Sequence, residues 1–149
     1  MPMILRVTLI AVCAAAVVFG ATRLHDVRAC NHARGVSFAA TLGRPVPGGP
    51  QRLARDAIEH CRGGTDLAAI GAALAQDGAV VPAQRLAQEA VRRDPRDYQG
   101  WVTLAIVAQR ERRPAAQRAA ALRALALNPR YAAARQLASS ARGGGGAGP

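Results

Sequence analysis

Three cysteines and three histidines are the side chains here best suited to covalent or metal chemistry. Cys13 lies in an uncharged apolar run and reads as an inert small hydrophobe. Cys30 and Cys61 lie beyond it, and between them stands the stretch GRPVPGGP, residues 43–50, which no helix can traverse. The residues on either side of it, 21–42 and 51–61, have helical character. Cys30 is thirteen residues before Gly43, and Cys61 is eleven after Pro50. Folded back as a hairpin, the two thiols fall within about one helical turn of each other. A disulfide bridges that geometry and stabilises by about 3 kcal/mol in the chain-entropy view. Free buried thiols and a metal site are the alternatives. For a metal, His32 and His60 accompany the cysteines. On a helix, however, spacings of two and one direct Cys30/His32 and His60/Cys61 to different sides. The expected reading is therefore a disulfide and no metal, with His25, His32 and His60 on the solvated surface.

The remaining chemistry is sparse. The nine carboxylates are Asp26, Asp56, Glu59, Asp66, Asp77, Glu89, Asp94, Asp97 and Glu111. They fall at loops or polar helix faces, and no close pair carries an acid–base signature. There is no phosphate-cradling glycine loop ahead of a helix and no nucleophile motif. The expectation is a protein without catalysis and without a cofactor.

The elements that carry these residues are helical throughout. Half the residues are hydrophobic but only 3% are aromatic; Ala supplies much of the apolar fraction, and no alternating strand pattern occurs. The formal charge is +11 and every basic residue is Arg. Such an excess suits nucleic acid or an anionic membrane surface. The arginines, however, are scattered at helical surface positions. The densest group, Arg110, Arg112 and Arg113, sits at an expected turn with no aromatic residues to stack bases. Nucleic acid is not the expected partner. An electrostatic binder of anionic lipid or nucleic acid stands as the alternative function.

Residues 7–21, VTLIAVCAAAVVFGA, carry no charge and extend about 22 Å as a helix. Extended by residues 1–5, with Arg6 reaching the interface, they suffice for a span. The expected element is an uncleaved signal anchor over residues 1–22; a cleaved signal peptide and a buried soluble helix are the competitors. Arg23, Arg28 and Arg34 after the segment favour a cytoplasmic domain by charge, whereas a disulfide favours the opposite side. The reading adopted is a single-pass membrane protein with its C-terminal domain outside the cytoplasm.

The chain also repeats. Pro95 and Pro129 are 34 residues apart, and the same shift lays Leu67 on Trp101, Ile70 on Leu104 and Gly71 on Ala105. Ala90 falls on Ala124, Val91 on Leu125 and Asp94 on Asn128. Leu74 joins Leu67, Ile70 and Gly71 on one helical face, while Gly78 marks a turn between helices. This period and order of residue types resemble the tetratricopeptide repeat family over residues 64–131. Ala87, Ala108 and Ala121 depart from it, standing where the family carries larger side chains. The resemblance implies helical-hairpin repeats at 64–97 and 98–131; with the segments read above, the expected fold is all-α, with a transmembrane helix (1–22), a degenerate disulfide-bonded hairpin (23–63), the two repeats, a capping helix (132–142) and a glycine-rich tail (143–149). Trp101 is expected as a core wedge between hairpins. The resemblance further implies a concave surface built from Thr65, Ala68, Ala72 and Gln76 of the first repeat and Gln99, Val102, Ile106, Gln109 and Arg110 of the second. Only Arg110 suits the family's peptide-carboxylate clamp, so a mostly apolar peptide or helix of a protein partner is the implied ligand. The architecture is similar to that of short anchored repeat proteins of cell-envelope assembly, including polysaccharide and secretion systems.

Overall fold

The computed structural model describes residues 3–143. The expected tail at 143–149 lies, apart from Gly143, outside them. Among the described residues there are seven helices and no strand: α1 (Met3–Thr41), α2 (Pro50–His60), α3 (Gly64–Gln76), α4 (Val80–Arg93), α5 (Tyr98–Arg110), α6 (Pro114–Leu127) and α7 (Ala132–Gly143).

The stops are those that backbone chemistry requires. The α1–α2 turn uses Gly43, Gly48 and Gly49, all at positive φ. Pro50 and Pro114 open α2 and α6, where a missing N–H costs nothing. Asp94 and Asn128 close α4 and α6, each directly before a proline.

α1 is one uninterrupted helix of 39 residues, about 58 Å long. Its stretch Ile10–Thr41 is long and apolar enough to cross a membrane, and the most apolar window of that stretch has no buried residue. The boundary expected between residues 22 and 23 falls inside this helix. The reason is physical: Gly20 and Gly35 each stand singly, and no proline or glycine pair interrupts the chain between Met3 and Gly43. The apolar segment and the first helix of the globular part are therefore a single rod. Its distal part buries Cys30, Ala33, Ser37 and Ala40.

Packing follows a regular order. α3 packs on α4, α5 on α6 and α6 on α7; α1, α3, α5 and α7 also touch in succession. α2 lies on α1, α3 and α4. One buried cluster, containing Cys30, Leu53, Cys61, Leu67, Ile70, Leu74 and Leu86, joins α1 through α4 and reaches Val107 of α5. A second, with Val102, Ala105, Ala121, Ala124, Ala134 and Leu137, joins α5, α6 and α7. Gly71 lies where three helices meet: a Cβ there would stand 3.2 Å from the Leu86 Cβ and 3.2 Å from the Thr103 Cγ2. Ala90 and Ala124, the paired small residues of α4 and α6, are both fully enclosed.

Two polar side chains seal the ends of this stack. The Gln117 amide, buried, donates to the Leu137 carbonyl (2.8 Å) and the Ser140 hydroxyl (2.9 Å), pinning α7 to α6. The Arg93 guanidinium donates to the carbonyls of Cys61 and Ile58, satisfying the C-terminal end of α2 from α4. Neither role is visible in local sequence, because each partner lies more than a helix away.

Candidate functional site

Residues 34 apart come side by side on one face. Ala68, Ala72 and Gln76 of α3 and Gln99, Val102 and Ile106 of α5 line a shallow cavity of about 270 Å³, with Tyr131 at its edge. Six of the nine expected groove residues thus share one concavity.

The other three do not line it. The Thr65 hydroxyl donates to the Asp97 carboxylate at 2.7 Å, which draws it to the α5 N-terminus. Asp97 also accepts from the Gln99 N–H at 3.0 Å and so caps α5. Gln109 and Arg110 are exposed, and Arg110 lies 3.4 Å from the Gln76 carbonyl, a cation against the end of α3. Ala68 and Val102 need a further correction. They are only 1% and 6% exposed, so they form the floor and not a contact surface. The α3–α5 contact is too close for both, because Thr103 reaches across to donate toward the Ala68 carbonyl at 3.0 Å.

Trp101 is not enclosed as a core wedge would be. It is half-buried; its indole N–H donates to the Pro95 carbonyl at 3.1 Å, and the Arg123 guanidinium lies over its ring at 5.8 Å. Trp101, Leu104, Val107, Ala108 and Ala120 line a second cavity of about 440 Å³ that opens on the opposite side of α5. The sequence signal for it is missing volume: the 34-residue shift sets Ala108 on Leu74 and Ala120 on Leu86. Its rim carries Arg113 and Glu111, which pair with each other at 3.3 Å.

Cys30 and Cys61 form a disulfide with a Cα–Cα distance of 4.9 Å, while Cys13 is free and exposed. One turn back along α1 from Cys30, Asp26 meets His60, the neighbour of Cys61. The His60 Nδ1 lies 3.3 Å from Asp26 Oδ1, and Arg62 holds Asp26 Oδ2 at 3.0 Å. His25 packs edge-on against His60, ring centres 5.3 Å apart. Reading Cys30/His32 and His60/Cys61 as the candidate ligands missed this grouping: His32 is exposed and apart from it. Two of the three histidines are instead brought to Asp26 by the register that the disulfide enforces.

Three further carboxylates serve as structural partners. Asp66 pairs with Arg34, Asp56 with Arg52, and Glu89 with Arg92 and Arg93. The Arg92 guanidinium is the main cause that holds the Glu89 carboxyl down at about 2; burial opposes it and Arg93 reinforces it. No protein-family model, no curated protein and no solved structure matches this chain.

Proposed function

We propose that this chain is a membrane-anchored scaffold of the tetratricopeptide type, non-catalytic, that holds an apolar peptide or helix of a protein partner at the cell envelope. The observation that carries the reading is the shared cavity. Ala68 with Val102, and Ala72 with Ile106, are pairs one period apart that the α3–α5 contact sets next to each other. Repetition of one unit then produces one continuous surface on which apolar Ala72 and Ile106 alternate with the amides of Gln76 and Gln99. Such a surface recognises shape, apolar side chains and hydrogen-bonding groups, not charge.

The anchor follows from α1. α1 runs without a break into the globular part, which supports a groove carried close to the bilayer surface. The Cys30–Cys61 disulfide supports an oxidising compartment for the domain.

The test is capture of the partner by the full chain in membranes. Ala72→Glu with Ile106→Glu abolishes capture and leaves the helical circular-dichroism signal intact. Ala119→Glu, at the Trp101 cavity, leaves capture unchanged and serves as the control. Capture that survives the double change, or is lost only with Ala119→Glu, removes the groove from consideration. Salt separates the electrostatic alternative: binding in the apolar groove holds from low to high salt, whereas an arginine-mediated polyanion complex weakens steeply.

A further inference from the structure

The geometry points to a binding site for a divalent late-transition-metal ion, zinc by its ligand chemistry, formed by His25, Asp26 and His60. The inference does not depend on the groove.

The ligand atoms of these three side chains all lie within 4.8 Å of one another. Around a tetrahedral zinc, with metal–nitrogen bonds of about 2.1 Å, ligand atoms sit roughly 3.4 Å apart. His25 is exposed, so its ring can turn toward the other two groups. Two imidazoles on one such ion have their ring centres about 5 Å apart. The rings of His25 and His60 already stand at 5.3 Å, inclined at 74°.

Asp26 is divided in a way that suits a ligand. One oxygen, Oδ2, is taken by Arg62, while Oδ1 faces His60 Nδ1. Arg62 then does what an outer hydrogen-bond partner does for a coordinating carboxylate: it fixes the plane of the group, and Oδ1 would bind an ion that takes the place of its contact with His60 Nδ1. Two nitrogens and one oxygen from the protein leave a fourth position for water, which the exposure of His25 keeps accessible.

The ion would link α1, just beyond its most apolar stretch, to the last residue of α2. These are the two elements that the disulfide also joins. The ion would thus reinforce the junction that the disulfide already closes.

The experiment is calorimetric titration of the metal-free full-length chain in detergent micelles with zinc chloride. One equivalent binds saturably. His25→Gln and His60→Gln each weaken binding at least about tenfold, and His32→Gln leaves it unchanged. His25 is exposed, so His25→Gln carries the test even where His60→Gln fails to fold by circular dichroism. The proposal falls if no saturable binding occurs, if His25→Gln binds as tightly as the unaltered chain, or if His32→Gln costs as much as His25→Gln.

Discussion

The α3–α4 and α5–α6 pairs share a 34-residue frame, yet one is closed and the other open. In α3–α4, Leu67, Ile70, Leu74 and Leu86 are all fully buried. In α5–α6 the corresponding residues are Trp101, Leu104, Ala108 and Ala120. Trp101 and Leu104 are half-buried, and a cavity of about 440 Å³ opens beside the two alanines. A second difference compounds the first. α2 lies on α4, whereas among the described residues α4 makes no close contact with α6. The backbone frame alone does not decide whether such a pair is core or surface. Side-chain volume at two positions and one covering helix decide it.

The most damaging change that tests this comparison is Leu86→Ala, which gives α4 the residue α6 carries. A buried Leu replaced by Ala in a packed site costs about 3 kcal/mol, read as a fall in the denaturant midpoint. The mirror change, Ala120→Leu, costs little or stabilises by up to about 1 kcal/mol, because it enters existing space. Equal costs for the two would mean that the pairs do not differ in packing, and the comparison would fail.

The next change attacks the covering helix. Glu89 orients Arg93, whose guanidinium closes the α2 carbonyls; in the second pair the same positions hold Arg123 and Leu127, which form no such clamp. Glu89→Gln destabilises by about 2 kcal/mol at neutral pH, since a hydrogen-bonded charge loses its partner. The pH dependence has a definite sign. The Glu89 carboxyl is held down to about 2 from its ordinary value of 4.5, chiefly by the Arg92 guanidinium. Its contribution is therefore complete above about 4.5 and is lost as the pH falls toward about 2. Denaturation curves of the two proteins diverge above that window and converge below it. A constant offset at all pH values would show that the clamp does not act through the carboxylate.

Much of this frame is legible in the chain, and the reasons are local. Pro50, Pro95, Pro114 and Pro129, with Gly78, punctuate helices through backbone chemistry alone. The meeting of Cys30 and Cys61 follows from counting along a hairpin. What was not legible depends on long-range contact. Ala68 and Val102 look like groove residues by position, and only the closeness of α3 to α5 buries them. Trp101 reads as a wedge by size, and only the absence of α4–α6 contact leaves it half-covered. The His25–Asp26–His60 group depends on which faces of α1 and α2 meet. Spacing along either helix cannot report that.

The smallest expected effect lies at the turns, where the two pairs agree in hydrogen bonding and differ in residue. Gly78 has φ 85°, and Arg112, one period later, has φ 55°. The bonds around them match: Ala79 N–H to the Leu74 carbonyl and Arg113 N–H to the Ala108 carbonyl are both 2.8 Å. The backbone therefore imposes the same left-handed residue in both turns, and only the first has the residue suited to it. A side chain in that region costs about 1 kcal/mol, partly offset because glycine also loosens the unfolded chain. Arg112→Gly accordingly raises stability by about 0.5 kcal/mol, measurable as a small upward shift in thermal midpoint. Gly78→Arg lowers it by the same amount, about 0.5 kcal/mol, and since nothing lies within 4 Å of the added Cβ, the cost is conformational and not steric. If both changes are neutral, the second turn has relaxed out of the left-handed region in solution, and the two pairs do not share a turn.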